Sequence, residues 1–237
     1  MWEFDTELSE TIKRTPAIKS FRFPVPDKGA NYEAGQFFFV SIKINGNEAV
    51  HHFSFSSSPT EKGYLEFTKR ITSSEYSQAL AKMKPGDWAH LRGPYGHFTL
   101  PIKERMLAFL SGGIGITPLR SMLRYIVDKK LSYNVILLYG NSCEDDIAFC
   151  QELDAMAASY PDIRVEHVIS DPILPTDWQG KIGRIDQSLI AKAITDYRER
   201  LFYISGAPKM VLALKEQLIS LGVPEVQLKQ DSFTGYD

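Results

Sequence analysis

The chain has 237 residues, 43% of them hydrophobic and 24% charged, with a net charge of -2. That length can bury one large core or two small ones, and so balanced a charge gives no reason to expect nucleic acid or an anionic membrane as partner. No run of about 18 apolar residues offers membrane insertion as a helix, and the opening MWEFDTELSETIKR is too polar for a signal peptide, so the cytoplasm is the expected location.

Residues 1–101 read as β-rich. Strands are expected over 2–13, 17–24, 36–44, 49–56, 64–71 and 88–92, separated by turn signals such as PVPDKGANYEAG and Asn45-Gly46-Asn47. Short strands punctuated in this way suggest a barrel or sandwich. One helix, over about 75–83, interrupts them and ends at Lys84-Pro85-Gly86-Asp87.

From Glu104 onward strand and helix alternate, which argues for a parallel sheet with helices on its faces. An apolar run at 106–110 leads into Gly112, Gly113 and Gly115, and then into a periodic helix carrying Leu119, Met122, Leu123, Ile126 and Val127 on one face. Thr117 suits the N-cap of that helix and Pro118 its first position. Glycines that let a backbone approach closely, followed by a helix N-terminus, make a place to hold a phosphate. The turn matches neither of the common phosphate-loop patterns, so alone it is equally an ordinary α/β connection.

Further strands are expected at 134–139, 164–169, 201–205 and 226–233, and helices at 143–159 with Ser142 as cap, 187–194 with Asp186 as cap, and 209–221 ending at Gly222. A second strand-to-helix glycine turn, Gly206-Ala207-Pro208, would share the carboxyl edge of the sheet with the first. Open α/β sheets bind their ligands at that edge. The two cysteines, Cys143 and Cys150, are expected in one helix, too far apart at about 1.5 Å per residue to pair. Two cysteines also cannot ligate an iron–sulfur cluster alone.

Six motifs in order span nearly the whole chain: His51-His52-Phe53-Ser54 with the serine run to Pro59, GPYGHF at 93–98, SGGIGITP at 111–118, LLYGN at 137–141, SGAPKM at 205–210 and DSFTGY at 231–236. Together they make the chain resemble the ferredoxin–NADP reductase superfamily. The resemblance implies a two-domain β plus α/β fold, with a six-stranded antiparallel Greek-key flavin-binding barrel over 1–101 and a parallel-sheet α/β nucleotide-binding domain over 105–237. It implies FAD (or FMN) as cofactor, NADH or NADPH as donor, and hydride transfer at the junction of the domains. Phe53 would then pack on the flavin ring and Ser54 hydrogen-bond near its hydride-accepting nitrogen. Ser77 would contact flavin phosphate with Arg70 as the nearest cation. Gly112, Gly113, Gly115 and Thr117 would hold the nicotinamide nucleotide opposite Gly206 and Pro208, and Phe233 or Tyr236 would cover the flavin.

Three positions depart from the family pattern. His51 replaces an arginine and, being charged only below about pH 6.5, is expected to hold flavin less tightly or with a pH dependence. Ser205 stands in place of a cysteine and Asp231 in place of a glutamate, which alters the geometry near the ring. Glu144, Asp145 and Asp146 follow the second α/β strand, where a 2′-phosphate would need cations; they favour NADH, although they equally suit a helix N-terminus. With too few cysteines for an iron–sulfur cluster of its own, the expected enzyme passes electrons to a separate acceptor, a ferredoxin, an oxygenase component or a small molecule. The alternatives are a reductase of free flavin and a non-catalytic flavoprotein subunit.

Overall fold

The computed structural model describes residues 1–26, 29–171 and 178–233. Its first half runs β1 (Trp2–Glu7), β2 (Glu10–Lys13), β3 (Ile18–Pro24), β4 (Phe37–Ile44), β5 (Asn47–Ser54), β6 (Tyr64–Arg70), the helix α1 (Glu75–Lys82) and β7 (Trp88–Tyr95). The strand expected over 2–13 is broken. At the break the Leu8 N–H donates to the Asp87 carbonyl at 2.8 Å and the Ser9 N–H to that of Arg22 at 2.9 Å. One strand thereby serves two sheets, β1-β7-β4-β5 and β2-β3-β6, both antiparallel. The Phe55–Phe67 bridge joins them on the far side. Counted as one interrupted strand, β1 and β2 complete a six-stranded ring.

Alternation along these strands sends one set of side chains inward. Phe21, Phe23, Phe38, Val40, Phe53, Phe55 and Phe67 are buried together, each contributing on the order of 1.5–3 kcal/mol by leaving water. The ring is filled with aromatics rather than hollow.

The second half contains β8 (Met106–Gly112), α2 (Ile116–Lys129), β9 (Asn134–Asn141), α3 (Cys150–Ser159), β10 (Ile163–Ile169), β11 (Lys181–Ile182), α4 (Gln187–Ala193), β12 (Leu201–Gly206), α5 (Pro208–Ser220) and β13 (Leu228–Ser232). The six strands are parallel, in the order β11-β10-β9-β8-β12-β13. Leu107, Phe109, Val135 and Leu137 pack on the α2–α3 side, and Ala108, Leu110, Ile136 and Leu138 on the α4–α5 side. Burial on both faces explains why these strands read as unbroken apolar runs. Strand order reverses between β8 and β12, and that switch point opens a crevice at the carboxyl ends of both.

Three local expectations are corrected. A 3-10 turn, Gly113–Gly115, runs directly into α2, so Gly115 occupies the cap position and Thr117 lies in the first turn, its Oγ1 donating to the Ile114 carbonyl at 3.2 Å. The helix expected over 143–159 is split: a 3-10 turn at Glu144–Asp146 is followed by Phe149 in the left-handed region (φ 63), and α3 begins only at Cys150. Ser142 therefore caps no helix, and the two free cysteines do not share one. The last strand starts at Leu228, after a 3-10 turn at Glu225–Gln227.

The two halves are clamped by Arg120 of α2, only 4% exposed. Its Nη1 donates to the Ser56 carbonyl at 2.8 Å and to Glu61 Oε2 at 2.5 Å, and its Nη2 to Glu61 Oε1 at 3.1 Å and to Glu152 of α3. Burial alone would lower the pKa of this guanidinium, but the bonds to Glu61 and Glu152 outweigh it and raise it further. Beside the clamp, Ser121 Oγ donates to the Ser57 carbonyl at 2.6 Å and Thr60 Oγ1 to Asp128 at 2.6 Å. Replacing Arg120 by Met should destabilise the protein by about 3 kcal/mol in denaturant unfolding, because two carboxylates lose their buried partner. A loss below about 1 kcal/mol would match an ordinary surface pair instead.

Candidate functional site

The ring and the parallel sheet meet at a cavity lined from three directions. Phe37, Phe53, Ser54 and Lys69 come from the ring, Ile114 and Thr117 from the glycine turn and α2, and Asp231, Ser232 and Phe233 from the end of the chain. A cleft of about 860 Å³ adjoins it at the switch point, between Gly112-Gly113 after β8 and Ala207-Pro208-Lys209 after β12. Ile114 and Phe233 line both spaces. The cleft lies at the upper end of the roughly 300–1,000 Å³ typical of cofactor sites.

The first turn's glycines serve two different needs. At Gly113 φ is +51 and a Cβ would meet nothing within 4 Å, so the backbone there faces open cleft. At Gly115 a Cβ would lie 2.2 Å from the Ser205 carbonyl, so the turn is pressed against the end of β12. The start of α2 behind it carries no acidic residue in its first turn, and its orphan N–H groups and dipole suit an anion. Gly206 sits next to Gly112, with the Phe233 N–H donating to its carbonyl at 3.0 Å. The C-terminal aromatic is thereby held where the two spaces join.

Ser111, Ser205 and Asp231 stand in register across β8, β12 and β13 and share one face of the sheet. The hydroxyls of Ser111 and Ser205 are buried and have no hydrogen-bond partner among the described residues. Both residues are fully buried and line neither the cavity nor the cleft; Ser111 comes one residue before Gly112 and Ser205 two before Ala207, and both of these do line the cleft. Ser54 Oγ reaches across from the ring to donate to Asp231 Oδ2 at 3.4 Å. Burial pushes the Asp231 carboxyl up to about 6, offset in part by that bond. The glycine-lined cleft has room for a nucleotide, whereas the adjoining aromatic-walled cavity encloses only about 60 Å³, so a flavin ring would lie across its mouth rather than within it.

The remaining candidates are placed as follows. Phe53 stacks on Phe67 with ring centroids 4.2 Å apart and lines the cavity. His51 is exposed, its ring 4.1 Å from that of Tyr76, and its pKa is lowered first by desolvation, then by Lys69 and His52. Ser77 is fully buried, and its Oγ accepts the Thr72 N–H at 2.8 Å, closing the turn before α1 instead of facing the opening. Arg70 lines the cleft and donates to Asp146 Oδ1 at 3.0 Å. Tyr236 lies outside the described residues.

Lys69 is the cation that sequence reasoning passed over. Adjacent residues on a strand face opposite ways, so of the pair Lys69-Arg70 only Lys69 enters the cavity. Desolvation lowers its pKa to about 8. Arg184 and Lys209, also unanticipated, line the cleft.

Comparison with known proteins agrees with this geometry. Residues 5–100 match the oxidoreductase FAD-binding domain family and residues 109–216 the oxidoreductase NAD-binding domain family. The chain is 31% identical over 240 residues to NADH-cytochrome b5 reductase 2 of Gallus gallus, covering 87% of this chain and 78% of that one. It is 29% identical over 216 residues to NADH-cytochrome b5 reductase 1 of Lodderomyces elongisporus, covering 89% and 71%. In fold it superposes on the FAD/NAD-binding domain of nitric oxide dioxygenase from Vibrio cholerae with a TM-score of 0.86, at 20% identity and 97% and 98% coverage. The cytochrome b5 reductase domain of Ulva prolifera nitrate reductase gives 0.85, at 21% identity and 97% coverage of each chain.

The Asp231 shift has a testable sign. A carboxyl raised in the fold contributes stability that is full below its unfolded value, about 3.9, and lost as pH rises through about 6. Asp231→Asn should therefore melt higher than the native protein at pH 8 and at nearly the same temperature at pH 4. An equal difference at both pH values would mean that the carboxyl is not held protonated by burial.

Proposed function

As this chain belongs to the ferredoxin–NADP reductase superfamily of FAD- and NAD-binding oxidoreductases, we propose that it takes hydride from NADH onto bound FAD and passes the electrons to a separate redox protein. The observation that carries this reading is the continuity of cavity and cleft through Ile114 and Phe233. A nicotinamide entering from the cleft reaches the cavity wall formed by Ser54, Thr117 and Asp231. FAD supplies the conversion of a two-electron donor into one-electron steps.

The protein's part is position and exclusion of water. Phe53 supports the flavin ring from the barrel side, and Ser54, anchored to Asp231, holds a hydroxyl at its edge. Ser205 places a second hydroxyl, buried and without a partner among the described residues, behind the nicotinamide side. Lys69 balances anionic character of the cofactor, a role that His51, neutral above the ordinary histidine range, does not fill. Phe233 covers the ring until nicotinamide displaces it. The orphan N–H groups at the start of α2 and the open backbone at Gly113 take the nucleotide phosphates.

NADH is favoured over NADPH for two reasons. Arg70, which lines the cleft together with Asn141 and Ser142, is already paired with Asp146, and the two cytochrome b5 reductases named above carry NADH in their names. Those names also point to a haem protein such as cytochrome b5 as acceptor, alongside a ferredoxin or an oxygenase component. A second reading, reduction of released flavin, is favoured by the lack of a permanent charge at His51. Protein that purifies yellow and turns over without added flavin supports the first; colourless protein active only with added flavin supports the second.

Two further outcomes are expected. Gly113→Val, strained at φ +51 and intruding on open cleft, should raise KM for NADH by about tenfold with flavin content unchanged; loss of flavin would mean that the two spaces are assigned the wrong way round. FAD affinity should fall as pH rises through about 8, where Lys69 loses its proton, and should be weaker and flat across that range in Lys69→Met. A flat native profile would remove Lys69 from the cofactor's surroundings.

A further inference from the structure

Outside the cavity and cleft, α3 and β10 bring together three side chains with no evident part in hydride transfer. Cys150 is the first residue of α3, Asp154 lies one turn further on the same face, and His167 sits in the middle of β10, on which α3 packs. His167 Nε2 is 2.8 Å from Asp154 Oδ1 and 3.8 Å from Cys150 Sγ, and Cys150 Sγ is 3.7 Å from Asp154 Oδ2. The three donor atoms lie within 4.8 Å of one another.

These spacings are close to those of a tetrahedral site. Zinc bond lengths of about 2.3 Å to sulfur and 2.0 Å to nitrogen or oxygen place sulfur about 3.5 Å from each of the other two ligands, and those two about 3.3 Å from each other. With Asp154 ligating through Oδ2, both sulfur edges are close to these values already, and only the His167–Asp154 edge, now bridged through Oδ1, must adjust as the carboxylate turns. We propose that Cys150, Asp154 and His167 bind a divalent transition-metal ion of the zinc class, with water in the fourth position. Thiolate, imidazole and carboxylate together suit zinc, cobalt or nickel and do not suit magnesium or calcium.

The surroundings favour a cation. The carboxylates of Asp154 and Glu144 stand near the Cys150 sulfur, a negative setting that a bound cation would offset. On binding, the thiol releases its proton to solvent as the sulfur–metal bond forms, and His167 carries its N–H on Nδ1 with Nε2 on the metal. Nδ1 is buried, without a partner among the described residues, so the metal is approached through Nε2 alone. The contrasting cluster of Glu3, Asp5 and His90 directs one carboxylate to each ring nitrogen, and its donor atoms do not converge. A metal at Cys150 would pin the start of α3 to β10, behind the strand that borders the cleft.

The test uses the flavin-loaded protein after chelator treatment, titrated with Co²⁺. A thiolate-to-cobalt absorption band and d–d bands to the red of the flavin spectrum should saturate at one equivalent, and Zn²⁺ should displace them and raise Tm. Cys150→Ser and His167→Gln should weaken binding at least about a hundredfold, more than the 10–100-fold lost with a supporting residue, while Cys143→Ser binds as the native protein does. NADH oxidation should be unchanged in Cys150→Ser. Should that variant fail to fold, Asp154→Asn, altered at an exposed position, gives the same reading through loss of the d–d intensity. Absence of a thiolate band at one equivalent, or a band that survives Cys150→Ser or vanishes in Cys143→Ser, would overturn the proposal.

Discussion

The buried Arg120 guanidinium is the interaction on which the rest of the arrangement depends. It reaches from the helix that follows the glycine turn to the loop that follows the Phe53-Ser54 strand, and bonds there to a main-chain carbonyl and to Glu61. Through Glu152 it also reaches α3. A planar fork that is always charged makes these bonds in one orientation, which a lysine would not. The glycine turn is consequently held in fixed relation to the barrel wall, and Thr117 borders the same cavity as Ser54. A buried pair of this kind adds little over well-packed apolar residues in stability, and its better-attested use is to specify geometry. Geometry is what transfer between two ring systems requires.

Topology supplies the other constraint. Because strand order reverses between β8 and β12, two glycine turns open side by side and not at distant points of the edge. β13, added parallel next to β12, carries Asp231 to the same height as Ser205. The final described residues then cross to the barrel, where Asp231 meets Ser54. Residues more than a hundred positions apart are united by register alone. The raised carboxyl pKa of Asp231 follows from that enclosure.

Much of this was legible in the sequence, for identifiable reasons. Parallel strands buried on both faces leave apolar runs, the barrel leaves short alternating ones, and glycine turns at two strand ends mark the switch point. What was not legible depended on distance or on neighbours. Thr117 looks like a helix cap because its side chain suits one, but a 3-10 turn feeds α2 directly and moves the cap to Gly115. The segment 143–159 has helical composition throughout, yet Phe149 turns left-handed and ends the continuity. Arg70 and Lys69 are equivalent in sequence, and only the strand's facing decides that Lys69 enters the cavity. Arg120 reads as one more polar residue on an amphipathic helix; nothing local shows that its partner is fifty-nine positions away.

The central claim is that the adjoining cavity and cleft bring nicotinamide against flavin. Anaerobic addition of one equivalent of NADH to the FAD-loaded protein, followed by flavin absorbance, tests it most directly. Complete bleaching within a single turnover time is expected, and slower bleaching with NADPH. A flavin spectrum left unchanged while NADH is bound would contradict it.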